Sequence, residues 1–308
     1  MDSSYLYKSL QELKVKFQSR TKKPNVLILG DSVLERISHH DQDTIPLGIL
    51  LKNAYKNCNT YVISSTAFNF LIFEQIAIFI KNNNLKIDQI ILPINMRSFS
   101  PQWLNNPKWK LEEEVLTTRI FPKKINSIYK FVKNTKIFNK IEKFIYGRSV
   151  SEYHLYGKKR ASDFGRIVSD KSNSIYSRDF RLKSIFIFHY LFKINGKNEG
   201  ILAMKKFLII CKLENIHLYM YITPINYQAA EHLIGRDFIK KYYKNVAFVK
   251  NQISRIIKSG LVLKDFSTAC KKNSFFSLYD ATEHLNQEGR SIIVSLFKLG
   301  LISRKNEN

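Results

Sequence analysis

Three short apolar runs constrain this chain most. They are Val26-Leu27-Ile28-Leu29, Thr60-Tyr61-Val62-Ile63-Ser64 and Ile87 to Ile94, the last with its core at Gln89-Ile90-Ile91-Leu92-Pro93-Ile94. A strand with one wet face alternates apolar and polar residues. A strand that is apolar throughout is buried on both faces, as in a parallel sheet covered by helices. The stretches between the runs carry helical spacing: Leu47 to Tyr55, and Phe70 to Lys81 with Asn82-Asn83-Asn84 as its stop. The order strand, helix, strand, helix, strand predicts an α/β fold with a central parallel sheet.

The same alternation resumes late in the chain. Glu199 to Leu213 reads as a helix, His217-Leu218-Tyr219-Met220-Tyr221-Ile222 as a strand and Thr223-Pro224-Ile225-Asn226 as a loop. Phe238 to Ser259 reads as a helix, Leu261-Val262-Leu263-Lys264-Asp265 as a last strand and Gln287 to Leu299 as a final helix. Residues 98–197 break the pattern with a Pro/Trp loop, a Lys/Phe/Ile-rich helical part and a polar Ser/Arg/Lys segment, and read as a largely helical insertion or lid. No linker composition bounds them as a separate domain. Ahead of the first strand, Leu6, Leu10, Leu13, Val15 and Phe17 recur at helical spacing, so residues 1–23 form an N-terminal helix. Residues 24–300 form one domain and 301–308 a polar tail.

Composition narrows the function classes. At 308 residues the chain can bury a sizeable core. No run reaches the ~18 apolar residues of a membrane span, and the N-terminus lacks the basic start and apolar stretch of a secretory signal. The expectation is a soluble, cytoplasmic protein without a transmembrane segment. Cys58, Cys211 and Cys270 are odd in number and far apart, so neither a disulfide framework nor a metal site is expected. The net charge of +25 invites a nucleic-acid reading. Its lysines are scattered along the whole chain, however, with no reading motif, which fits a solvated surface and no specific nucleic-acid partner.

Polar groups gather at the strand ends, where an α/β fold collects its site. Ser32 follows the first strand through Gly30-Asp31, and the glycine permits a sharp turn into the next helix. Taken alone, Ser32 reads as an N-cap. Asn95 ends the third strand and offers either an amide donor for an oxyanion or a cap for loop backbone. His284 lies near the start of the last helix, four residues after Asp280. A carboxylate one turn back can orient an imidazole, which then takes a serine proton. The competing reading makes Asp280 or Thr282 a helix cap and His284 a surface residue. Hydroxyl, amide, imidazole and carboxylate together favour serine-dependent acyl transfer.

On these residues the chain resembles the SGNH (GDSL-like) hydrolase superfamily. Gly30-Asp31-Ser32 matches its first block, Asn95 the asparagine of its third, and His284-Leu285-Asn286 the end of its Asp-x-x-His block. The resemblance spans about residues 24 to 100 and 200 to 300. It implies a flavodoxin-like three-layer α/β/α sandwich with Ser32 as nucleophile, His284 as base and Asp280 as orienting acid. The implied oxyanion hole is the Ser32 amide, Asn95 and a backbone N–H from Thr66 or Ala67. Three positions depart from the family pattern. Asp280 stands four residues before His284 rather than three, Ser64-Ser65-Thr66-Ala67-Phe68-Asn69 contains no glycine, and Met96 replaces an aspartate.

Arg97 and Trp103 follow Asn95 closely. They read as substrate contacts, the arginine for an anionic group and Trp103 or Trp109 for a sugar face. Equally, Arg97 pairs with a neighbouring carboxylate in an aromatic-anchored loop. Thr223-Pro224-Ile225-Asn226 reads as pocket lining or as a structural turn. The expected activity is cofactor-independent hydrolysis of a carboxylic ester, such as an O-acetyl group on a sugar, with a small-molecule or glycan ester as substrate. The alternatives are an O-acyltransferase using the same residues and a catalytically silent glycan- or nucleic-acid-binding protein.

Overall fold

The computed structural model of the chain describes residues 5–18, 22–100, 103–104 and 178–305. Five strands are described: β1 (Asn25–Gly30), β2 (Asn59–Ser64), β3 (Gln89–Ile94), β4 (His217–Ile222) and β5 (Leu261–Asp265). All are parallel, in the order β2-β1-β3-β4-β5. This is the doubly wound, flavodoxin-like order, whose direction of winding switches between β1 and β3. The register pairs Ile28 with Ile91. Continued past the strand ends, it sets Ser32 level with Asn95.

Side chains of each strand divide between two cores, which makes the molecule a three-layer sandwich. Leu27, Leu29, Ile90, Leu92, Leu218 and Met220 point to one face. There they meet α1 (Tyr5–Gln18), α4 (Phe70–Asn82), α5 (Arg178–Tyr190), α6 (Glu199–Leu213), α7 (Tyr227–Ile234) and α8 (Asp237–Ile256). Val26, Ile28, Ile91, Tyr219 and Tyr221 point to the other face. Their partners are α2 (Ser32–Glu35), α3 (Leu47–Ala54) and α9 (Gln287–Lys305). The central strands β1, β3 and β4 are apolar along most of their length because both faces are covered, whereas the edge strand β5 ends in exposed Lys264 and Asp265. Each fully buried Leu or Ile contributes about 1.5–3 kcal/mol.

Several sequence expectations shift in detail. Val15 faces solvent, while Leu6, Leu10, Leu13 and Phe17 form the buried stripe of α1. α7 occupies a stretch the periodicity left unassigned, capped by Asn226, whose Oδ1 accepts from Ala229 N–H. α9 runs to Lys305, into the expected polar tail. Most of the expected insertion, residues 105–177, and Trp109 lie outside the described residues. The trailing part of that insertion forms α5, whose last turn is buried through Tyr190. Among the described residues, no helix is long and apolar enough to cross a membrane.

Candidate active site

Ser32 is held by the turn between β1 and α2. Asp31 is the N-cap of that turn, its Oδ1 accepting from Val33 N–H at 2.8 Å. The capping role read for Ser32 therefore belongs to its neighbour, and the Ser32 hydroxyl is left for other work. Gly30 packs closely here: a Cβ at that position would stand 2.2 Å from Leu34 Cδ1 and 2.5 Å from its Cγ, so a side chain would displace the buried Leu34 side chain. Ser32 Oγ lies 2.9 Å from His284 Nε2 across 252 residues of sequence. That is hydrogen-bond distance for a nucleophile and its base.

His284 is carried by an extended segment, not by a helix. Leu285 forms an antiparallel bridge with Phe275, Phe276 N–H donates to His284 O at 3.1 Å, and Asn286 N–H donates to Ser274 O at 3.1 Å. α9 starts only at Gln287, with Asn286 Oδ1 accepting from Gly289 N–H. Asp280 is thus not one helical turn before His284. It is exposed, and among the described residues its side chain bonds nothing, so the expected Asp280–His284 contact is absent. Where the orienting carboxylate was expected, Thr282 Oγ1 sits 3.2 Å from His284 Nδ1 and also accepts from His284 N–H at 3.0 Å. Burial pushes the imidazole pKa down to about 2, with the charges of Arg97 and Arg36 adding to the effect. The ring is therefore neutral at any ordinary pH.

Asn95 sits where β3 gives way to a single turn, Met96–Phe99. Its Oδ1 accepts from Arg97 N–H at 3.2 Å, and its Nδ2 donates to Asp31 Oδ2 at 3.0 Å. A second amide hydrogen remains for an oxyanion. Asp31 thereby ties the nucleophile turn to the β3 end, and burial raises its carboxyl above the usual range against Arg97, Val33 N–H and Asn95. Beside this pair lies a narrow hollow, lined also by Phe68, Asn69, Phe70, Phe73, Pro93 and Ser98.

Ala67 has φ of +68°, the left-handed region that favours glycine. Ala67 thus holds, with a methyl group, a backbone conformation ordinarily left to glycine. Thr66, the other residue considered there, is exposed.

Arg97 is not free for a substrate anion. Its Nη1 lies 2.8 Å from Glu283 Oε2 in a buried ion pair, and its guanidinium stacks 4.6 Å from the Trp103 ring. Tyr190 donates to Glu283 Oε1 at 2.5 Å. Arg97 and Trp103 are thus the aromatic-anchored paired loop, and the substrate-contact expectation for both is corrected. Glu283 adjoins His284 but faces away from it, since neighbouring side chains of an extended segment point oppositely. Burial pushes its pKa up to about 7, with Arg97 and Tyr190 pulling the other way. Thr223-Pro224-Ile225-Asn226 is a structural turn. Thr223 N–H donates to Ile94 O, and Asn226 Nδ2 donates to Ser277 O and Leu278 O.

Sequence reasoning missed Thr282, Glu283 and Tyr190 as parts of the site, and Arg36 as its nearby exposed cation. Thr282 carried the one readable signal: a hydroxyl two residues before a histidine can close a turn on that histidine's N–H. A fully buried arginine fixes the loop beyond α2. Arg290 Nη1 lies 2.6 Å from Asp41 Oδ2, and Gln287 Oε1 accepts from the N–H groups of Gln42 and Asp43. The segment after Ser32 is thereby pinned to the helix after His284.

Comparisons with solved structures return several matches, two enzymes among them. A GDSL-like lipase from Bacteroides thetaiotaomicron aligns over 97% of this chain and 98% of its own, with TM-score 0.42 and 8% identity. A catalytic mutant of an acetylxylan esterase from Geobacillus stearothermophilus aligns over 91% of this chain and 94% of its own, with TM-score 0.39 and 9% identity. No protein-family model and no curated protein matches the chain. The fold class rests on strand order and layering, and the chemistry rests on the side chains at the sheet edge.

Proposed function

We propose that this chain is a serine-dependent ester hydrolase of the SGNH type. The observation that carries the reading is the 2.9 Å contact of Ser32 Oγ with a buried, neutral His284 Nε2 at the switch point of the sheet. In this reading Nε2 takes the Ser32 proton as Oγ attacks the ester carbonyl. The oxyanion meets the Ser32 N–H, the free hydrogen of Asn95 Nδ2 and the Ala67 N–H. Collapse breaks the ester bond, and the imidazolium gives its proton to the departing alkoxide. Water then attacks the acyl-Ser32 carbonyl, passes a proton to Nε2, and releases the carboxylic acid while Ser32 regains its hydrogen.

A short acyl group such as acetyl is proposed as the acid part, since the hollow beside Asp31 and Asn95 is narrow and walled by Phe68, Phe70 and Phe73. A sugar hydroxyl is proposed as the alcohol part. The test is a fluorophosphonate probe on the purified protein, followed by peptide mapping. Labelling at Ser32, lost in His284→Ala, is the expected result. Intact protein that takes no label, or takes it elsewhere, overturns the reading in favour of a silent binding protein. Acyl transfer to an added sugar in preference to water would make the same residues an O-acyltransferase.

A further inference from the structure

We propose that Thr282 is the positioning residue of the base, holding His284 in the tautomer that leaves Nε2 bare for Ser32. The inference rests on the hydrolase reading and deepens it. A neutral imidazole carries one hydrogen, on either nitrogen, and can take a proton at Nε2 only when that hydrogen sits on Nδ1. The group facing Nδ1 therefore has to accept. Two carboxylates are near in sequence and neither does so: Asp280 is exposed, and Glu283 is taken by Arg97 and Tyr190. The atom placed at Nδ1 is Thr282 Oγ1, at 3.2 Å.

Thr282 is fixed in that place by the backbone. Its own N–H donates to Asp280 O at 2.9 Å, and its Oγ1 accepts from His284 N–H at 3.0 Å. The side chain thus grips both the main chain and the ring of one histidine, with one oxygen lone pair used by each. This is a second role beyond closing the turn. An accepting Oγ1 also matches the Ser32 side: Ser32 is 4% exposed, and His284 Nε2 is the side-chain acceptor its hydroxyl meets among the described residues. With the hydrogen on Nε2 instead, both the base and the acceptor for the Ser32 proton are lost. A hydroxyl differs from a carboxylate in being able to donate as well as accept, and in bringing no charge to the imidazolium. Thr282 therefore supplies orientation without the electrostatic share of a full triad.

The test reads the tautomer directly from the 15N shifts of His284 in the unliganded protein, assigned by comparison with His284→Gln. The wild type is expected to carry its hydrogen on Nδ1. Thr282→Val keeps the shape and removes the acceptor; it should move the hydrogen toward Nε2 and lower kcat on the order of 10- to 100-fold, with KM little changed. Thr282→Ser, which keeps the oxygen, should restore both the tautomer and most of kcat, an outcome that mere packing by the threonine methyl would not give. A wild-type imidazole protonated at Nε2, or a folded Thr282→Val with tautomer and kcat unchanged, overturns the proposal. If Thr282→Val does not fold, Thr282→Ser and the wild-type spectrum decide. The tautomer is read without substrate, so it reports on Thr282 even if no ester is cleaved and the hydrolase reading fails.

Discussion

The two halves of the candidate site are built by different physics. The nucleophile half lies on β1, α2 and β3, and each of its residues is set by a local rule. Gly30 leaves room for Leu34 at the strand end, Asp31 caps the helix turn, and Asn95 ends a neighbouring strand in register. The base half lies on an extended segment between β5 and α9 that carries no repeating hydrogen bonds of its own. It is positioned by partners distant in sequence: Phe275 and Phe276 from an adjoining loop, Arg97 from the β3 end and Tyr190 from α5. A half built on regular elements tolerates change in its surroundings. A half built on cross-contacts depends on each of them.

The sharpest cut through this comparison is at the nucleophile. Ser32→Ala should lower ester hydrolysis on the order of 10³ or more while leaving the fold intact, because Asp31 rather than Ser32 caps α2. Initial rates on p-nitrophenyl acetate and a thermal melt check both parts. Unchanged hydrolysis would place the activity elsewhere. A large loss of stability would mean that the hydroxyl is structural after all.

The base half is expected to fail in the opposite way, through stability. Glu283→Ala removes the carboxylate that answers a buried Arg97, and a buried charge left alone costs about 3–5 kcal/mol. Tyr190 loses its acceptor at the same time. Urea unfolding should show the loss, with activity falling as His284 loses its support. A cost under about 1 kcal/mol would show that the network is incidental and that the halves do not differ as described.

This contrast also explains which parts were readable from sequence. The strands, α3, α4 and α6 were legible because burial on one or both faces imposes a period on the residues themselves. The placement of Ser32 and Asn95 side by side was legible because both follow strands that a parallel sheet sets in register. Asp280 was assigned wrongly by applying helix spacing to residues that are not helical: Thr282 N–H turns back onto Asp280 O, and the Asp280 side chain is left at the surface. Arg97 carried two readings, and the deciding fact, Glu283 packed against it from 186 positions away, is long-range packing that no local pattern encodes. Trp103 followed Arg97 for the same reason.

A smaller test uses pH to probe α5, which supports the base half. His189 is buried against Trp103, and burial with the Arg97 charge pushes its pKa down to about 3 from 6.5. Between those values the unfolded chain binds a proton that the folded chain refuses, so this group's contribution to stability rises with pH and falls away in acid. Lowering the pH from about 7.5 to about 5 should cost the wild type about 2 kcal/mol relative to His189→Gln. Urea midpoints of the two proteins at both pH values measure it. Parallel losses would show that His189 takes up a proton in the folded state and that α5 is not packed over it.

The smallest expected effect lies in the nucleophile half, at Ala67. With φ of +68°, its methyl sits in a conformation that costs an L-residue about 1–2 kcal/mol. Glycine relieves that cost but gives back about 0.4–1 kcal/mol through the greater freedom of the unfolded chain. Ala67→Gly should therefore stabilise the protein slightly, by about 0–1.6 kcal/mol. Because only the backbone N–H is proposed to face the oxyanion, kcat should stay within about threefold of wild type. If the variant is less stable, the Ala67 methyl is packed rather than merely tolerated. The turn would then depend on a side-chain contact, and this half of the site would be less local than its strand-end geometry implies.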